Sequence, residues 1–308
     1  MQSNLKSSKR SKFRANIPLF LLALPGLIYM ICFNYLPMFG VIVAFKDYNY
    51  LDGIFNSQWV GFKYFKYFFA SNDLAYIMRN TLLYNIVFMF LKQLLCVVVA
   101  IFLYEITQKY FLKVYQTAII LPNFISWVLV AYIGYALFSN ETGLINSVLK
   151  SLGEEGISWY SEPKYWPGIL TFFEMWKGVG MGCIIYYAAL MGVDESLFEA
   201  ASIDGANRVQ QIIKISLPTI LPTVCIMLIL AVGGIMGGDF GLFFQVPRNS
   251  GALYPVTNVI STYTYYLFRD GNFSQSAAIG LFQNVVGLIL TLGTNAIVKK
   301  VNPENAMY

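Results

Sequence analysis

From Ile17 to Phe45 the chain runs for 29 residues without a charge. An unpaired backbone group in hydrocarbon costs several kcal/mol, so a run of that length crosses a bilayer as a helix that satisfies its own N–H and C=O groups. It is too long for the apolar stretch of a secretory signal, and no small-residue cleavage site follows it promptly. It reads as a first membrane span. Five further segments have the same character: 81–104, broken only by Lys92; 114–140, free of charge; 166–191, which holds Glu174 and Lys177; 219–238; and 273–298. The expected fold is therefore all-α, one polytopic membrane domain over 17–298 with six transmembrane helices, a basic tail at 1–16 and a short tail at 299–308.

Composition agrees and narrows the chemistry. The chain is 57% hydrophobic and 12% charged, against about 45–50% and about a quarter in ordinary soluble domains. It contains no His, which removes Ser–His and Cys–His catalytic pairs and the commonest metal ligand. Neither a catalytic residue nor a metal site is expected. Cys32, Cys96, Cys183 and Cys225 lie far apart in apolar runs and read as small fillers of membrane helices. The net charge of +5 is spread too thinly for nucleic acid, and lipid is the expected surrounding.

Where the charges fall sets the orientation. With both ends in the cytoplasm, the inner segments (1–16, 105–113, 194–214 and 299–308) hold 11 basic and 6 acidic residues, while the longer outer segments hold 8 basic and 9 acidic. The excess of Lys and Arg inside predicts cytoplasmic N- and C-termini. The stretch 249–268 lacks interior charge but carries Pro255 and several hydroxyls and amides, so it is expected to lie along the outer surface as an amphipathic segment.

The loop 194–218 is the most informative part of the chain. Ser196 followed by Glu199 fits a capping box that starts a helix, with Leu197, Phe198, Ala201 and Ile203 at helical spacing. Gly205, after Asp204, permits the left-handed residue that ends it. A second helix with Val209, Ile212, Ile213 and Ile215 as its apolar positions is expected to stop before Pro218. The result would be a rigid helix–turn–helix knob leading into the fifth span. It reads as a docking element or as a connector packed on its own bundle.

Glu199-Ala200-Ala201, then Gly205 after three residues, then Ile215-x-Leu217-Pro218 after nine more, resembles the EAA motif of ABC importer permeases. Pro25-Gly26, Asn80-Thr81-Leu82 and Leu121-Pro122 are similar to the carbohydrate-uptake branch. Asn34-Tyr35-Leu36-Pro37 and Leu144–Gly153 resemble the permeases linked to oligosaccharides and polysaccharide fragments. The resemblance implies a type I ABC importer permease fold in a bacterial plasma membrane. It also implies a second homologous permease subunit, two ATPase subunits that bind ATP and Mg, and an extracellular solute-binding lipoprotein. In that setting Leu197 and Phe198 would fill an apolar cleft of the ATPase, Ala200 and Ala201 would permit close approach, and Glu199 would cap its helix, meet a basic partner residue, or both. No G-x-x-x-x-G-K-[ST] phosphate loop occurs, so the chain is expected to be a permease without catalysis or a cofactor of its own.

Charged residues inside a span usually face a bundle interior or aqueous cavity. Glu174 and Lys177 are three apart on one helix face, either as a mutually neutralising pair or as lining for a solute path. Lys92 either joins that path or meets a partner. Trp127 and Trp176 offer faces for sugar rings. Asn123, Gln283 and Asn284 offer amides, and Asp239 follows the glycines 233–234 and 237–238, which favour close helix approach or local unwinding. A carbohydrate, in particular an oligosaccharide, is the expected cargo. The alternatives are an ABC importer for a different solute and an ion-gradient secondary transporter, the latter lacking an evident half-to-half repeat.

Overall fold

The charge-free run at the N-terminus is helical from Lys9 to Met30, widens into a π-turn at Ile31–Tyr35, and ends in a tight 3-10 stretch at Phe39–Phe45. A computed structural model describes residues 9–301, with side chains from Asn16 to Lys300. Residues 1–8 and 302–308, which belong to the two expected tails, lie outside the described residues. None of the most apolar stretch of this first helix is buried against the rest of the chain. It is a candidate span that offers its whole surface to lipid or to another protein.

Among the described residues, five helices are long and apolar enough to cross a membrane: Asn16–Phe45, Leu74–Tyr104, Pro163–Met191, Arg208–Gly233 and Phe273–Lys300. A sixth crossing requires Lys109–Phe124 and Trp127–Phe138 to act together, and these are bent by 98°. The expectation of an unbroken helix over 114–140 is thus corrected. Pro122 has no N–H and sits in a 3-10 turn, while Ser126 is extended and its Oγ accepts a hydrogen bond from Leu129 N to start the next helix. Both residues favour breaking a helix over continuing one.

The helix Leu74–Tyr104 starts well before residue 81 and packs along Trp166–Met191 to form the centre of the molecule. Their shared core includes Phe88, Cys96, Leu170, Phe173, Cys183 and Tyr186. Gly180 lies against the Ile119 carbonyl, so the helix of 109–120 crosses this pair at backbone contact. A second, smaller core joins Phe68, Ile77, Met236, Ile260 and Ile279. Besides the helices, Lys46–Asp47 pairs antiparallel with Gln58–Trp59. Asp47 there accepts hydrogen bonds from Tyr64 Oη and Lys63 Nζ. These hold its carboxyl below the usual carboxylate value.

Two π-turns have one cause. Leu36-Pro37 and Leu217-Pro218 each follow a five-residue π-turn, in which Leu36 N bonds to Ile31 O and Leu217 N to Ile212 O. A proline ring inside an α-helix clashes with the carbonyl four residues back, and the wider turn makes room for it. Pro218 therefore does not stop the helix before it, contrary to the expectation from sequence. The backbone stays helical from Arg208 through Gly233.

The 249–268 segment is corrected in part. It forms no membrane-crossing helix but is divided into Gly251–Leu253, Tyr254–Thr257 and Ile260–Arg269. It does not simply lie on a surface either, since Leu253, Thr257, Asn258, Val259, Ile260 and Thr262 are buried. Asn80 on the long helix donates to the Pro255 and Asn258 carbonyls, and Thr81 Oγ1 accepts from Ile260 N. These bonds satisfy backbone groups that the broken segment exposes.

Candidate functional site

The 194–218 loop folds as one short helix, a turn at 204–207, and the first turns of the long Arg208–Gly233 helix. Glu195–Ile203 forms the short helix, and Gly205 ends it at φ 80°, a left-handed geometry that costs a residue with Cβ about 1–2 kcal/mol. The cap differs from the sequence expectation. Asp194 is the N-cap, its Oδ1 accepting from Ser196 N at 2.9 Å, so Ser196 and Glu199 do not form the capping box. That N–H contact holds the Asp194 carboxyl below its usual value. A capping box does occur one helix later, between Asn207 and Gln210.

Gln211 locks the turn. It is buried and donates to Ser202 Oγ at 2.9 Å and to the Ala206 carbonyl at 3.3 Å. Phe198 turns inward onto Tyr104, ring to ring at 5.9 Å, so it anchors the knob to the bundle. The apolar reach outward comes instead from Leu197, 51% exposed, and Ile203, 86% exposed. Glu199, Ala200, Asp204 and Pro218 are also exposed, while Ala201, Ile215 and Leu217 are half-buried toward the bundle.

The membrane-embedded charges are brought together, in pairs other than those expected. Glu174 and Lys177 share a helix face but do not pair. Glu174 instead accepts from Lys92 at 3.0 Å. Lys177 donates to the Asn123 carbonyl at 2.7 Å and lies 5.3 Å from the Trp127 ring centre. The bend at 121–126 explains this choice. A broken helix leaves carbonyls without intrahelical donors, and an ammonium supplies the missing donor at a depth where water is scarce. Asn123 contributes its backbone oxygen there rather than its side-chain amide.

Trp127, the first residue after the bend, donates from Nε1 to Asp239 Oδ2 at 2.7 Å. The other carboxylate oxygen of Asp239 caps Phe240–Gln245 through Gly241 N and Leu242 N. Gly241 is required here, because a Cβ at that position would run into the Trp127 ring. Two ammonium groups and two carboxylates, Lys92, Lys177, Glu174 and Asp239, together with Asn123 and Trp127 of the bent segment, thus form a neutral polar string across four segments. Trp176 stands apart from it, packed edge-on to Phe173 at 6.3 Å in the core. Gln283 and Asn284 are elsewhere too, lining a separate cavity with Gly233, Gly234 and Gly237. There the Leu217–Gly233 helix unwinds, with Gly238 at φ 79°.

Sequence reasoning missed Gly241 and Gly180, whose roles depend on what crosses them. It also missed Arg248 and Asn249, at φ 54° and 53°. The only signal at the latter pair was a polar Pro247–Ser250 turn in an otherwise aromatic stretch.

Residues 94–303 match the family of binding-protein-dependent transport system inner membrane components. Over 290 residues the chain is 38% identical to protein LplB of Bacillus subtilis, covering 93% of this chain and 90% of that one. It is 34% identical to the polygalacturonan/rhamnogalacturonan transport system permease protein YteP of the same species, covering 93% and 89%. A crystal structure of a bacterial ABC transporter that imports the acidic polysaccharide alginate contains a chain of the same fold. The TM-score is 0.86 at 30% identity, over 94% of this chain and 98% of that chain. With its apolar helices, its broken third span and its exposed helix–turn–helix loop, the chain belongs to the multi-pass inner membrane components of binding-protein-dependent ABC transport systems.

Proposed function

We propose that this permease forms half of the translocation path of an ATP-driven carbohydrate importer in a bacterial plasma membrane, with an oligosaccharide as cargo. The single observation that carries the motor assignment is the 194–218 knob. It is rigid, exposed, capped at both helices and displays Leu197, Glu199, Ala200 and Ile203 outward. In this reading it enters a groove of an ATPase subunit on the cytoplasmic side, and both chain ends lie on that side. ATP and Mg bind in the two ATPase subunits, because this chain has no phosphate loop. A second permease subunit covers the apolar surface left open by the first helix, and an extracellular binding protein delivers the sugar. The importer of alginate, crystallised in complex with a pentasaccharide-bound periplasmic protein, supports that delivery route. The polygalacturonan/rhamnogalacturonan and arabinooligosaccharide permeases among the relatives support a carbohydrate cargo.

The neutral polar string suits the path. Its charges are balanced when paired and become available to hydroxyls when the packed segments move apart. The test is co-expression with candidate ATPase subunits followed by uptake of labelled oligosaccharide. Vanadate-sensitive uptake is expected, and Gly205→Asp should abolish both ATPase co-purification and uptake while the protein still inserts. Retention of ATPase binding by that variant would refute docking through this loop.

A further inference from the structure

The end of the bundle opposite the 194–218 knob carries a cavity that the polar string and the knob leave without a role. Between the Trp127–Phe138 helix, the 139–142 loop and the 247–250 turn lies a space of about 560 Å³, lined by Tyr135, Asn140, Glu141, Tyr160, Arg248 and Ser250 among others. A second space of about 270 Å³ meets it at Arg248 and adds Tyr132, Gln245 and Asn249. Volumes of a few hundred Å³ are typical of small-ligand sites.

Arg248 is held there at a cost. It and Asn249 are consecutive left-handed residues, at φ 54° and 53°, a conformation that persists only when its surroundings enforce it. The enforcement is visible. Asn249 Oδ1 accepts from both Tyr254 Oη at 2.8 Å and Tyr266 Oη at 2.7 Å. Ser250 Oγ donates to the Tyr160 carbonyl at 2.9 Å. The guanidinium that this turn projects lies over Tyr135, 4.1 Å from Cζ to the ring centre. None of the described residues accepts a hydrogen bond from it or forms an ion pair with it. Stacking uses the flat face of a guanidinium and leaves its in-plane N–H fork free, the geometry that grips a carboxylate with two parallel bonds. On the same cavity wall the Tyr160 hydroxyl is buried with no hydrogen-bond partner among the described residues.

From this geometry we propose that the Arg248 cavity is a binding site for an acidic sugar, a short oligouronide, whose carboxylate is held by Arg248. The exposed face of Tyr132 stacks against the sugar ring. Glu141, on the wall of the same cavity but unpaired with Arg248, repels the carboxylate and so keeps it at the arginine. A neutral sugar would leave the fork unfilled. The mixture of aromatic faces, amides and hydroxyls suits a carbohydrate better than the acidic patch of a docking protein. The inference rests on the importer reading above and specifies its substrate class.

The complete importer, reconstituted in nanodiscs with its partner subunits, would be titrated with trigalacturonate, its methyl ester and galactotriose by saturation-transfer NMR. The expected result is that trigalacturonate binds at least about tenfold more tightly than its ester, the scale of one hydrogen-bonded charge contact. Arg248→Gln should remove that advantage, Arg248→Lys should keep part of it, and Glu141→Gln should increase it. None of the three should alter galactotriose binding. Equal binding of trigalacturonate and its ester by the unmodified importer would overturn the proposal without any variant. So would an Arg248→Gln importer that still prefers trigalacturonate. Weakened capture of the sugar-loaded binding protein by Arg248→Gln, with trigalacturonate binding unchanged, would assign the arginine to protein docking and equally overturn it. ATP-driven uptake of neutral sugar alone would sink this inference and leave the importer reading intact. Absence of any ATP-driven carbohydrate uptake would remove the importer reading itself.

Discussion

Lys92, Glu174, Lys177 and Asp239 illustrate how single residues divide between what is written in the chain and what is not. That charges inside apolar runs must find partners follows from the cost of leaving them unpaired. Which partner each finds does not, because Lys92 and Glu174 are 82 positions apart. Glu174 is the more buried of that pair, with its side chain 14% exposed against 37% for Lys92. Lys92→Met should therefore destabilise the purified protein by about 1–3 kcal/mol, below the range of a fully buried pair because lysine is part-exposed. Adding Glu174→Gln should restore most of the loss, read as recovery of the melting temperature in detergent. Lys177→Met should behave differently. It frees the Asn123 carbonyl, and no change at Glu174 should rescue it. Asp194 gives a pH-dependent counterpart. Its carboxyl is depressed from 3.8 in the folded chain by the Ser196 N–H, so the cap's contribution is complete above that value. It is lost as pH falls through the lower folded value. Amide exchange at Ser196 and Leu197 should accelerate, relative to the rest of the helix, only in that acid window, and Asp194→Asn should flatten the response. Ser196→Ala should leave the backbone cap in place and weaken the depression of the Asp194 carboxyl only in part.

At the scale of elements, periodicity and length identified helices well where they are straight. The helix Trp166–Met191 starts where Pro167 suits a first turn. The 114–140 run was legible as apolar but not as bent. Its Pro122 and Ser126 are tolerable in a kinked helix, so local sequence does not reveal the 98° bend or that Lys177 of another helix donates to the carbonyl of Asn123 within it. Gly180 tests this arrangement. A larger residue there would strike the Ile119 carbonyl, so Gly180→Leu should separate 109–120 from the central pair and sharply lower the yield of folded protein. Gly182→Ala, which meets only the Cys96 sulfur at 2.6 Å, should be milder. The knob followed its local signals in part. Gly205 was readable because a left-handed helix end is a property of one residue, whereas Gln211 was not, since its value lies in reaching Ser202 and Ala206.

For the whole molecule, orientation is the property on which the functional reading turns. The surplus of Lys and Arg in alternate loops predicts that 194–218 lies inside and 141–165 outside. A cysteine at Ser202 and another at Ser147, both exposed positions, provide the check. In intact cells a membrane-impermeant maleimide should label the variant at Ser147 and spare that at Ser202, over the background of the four native cysteines. The reverse pattern would invert the topology. The first helix makes a second whole-molecule prediction. With none of its most apolar stretch buried within the chain, it should be protected only in the assembled importer. Crosslinking from Cys32, which is exposed, should capture a partner subunit in that assembly.

The sequence by itself determined that the chain is built from several membrane-length apolar helices, that it contains no His, and that one polar loop carries a glycine-ended helix. Those conclusions rest on composition, run length and local turn chemistry, each a property of neighbouring residues. Only the tertiary structure decided which charges neutralise one another, where the third span breaks, and that Gly241 exists to seat Trp127. It alone showed Arg248 stacked on Tyr135 at the mouth of a cavity. These features join positions dozens to more than a hundred residues apart, and contacts at that separation are fixed by packing in three dimensions, which no local pattern of residues encodes.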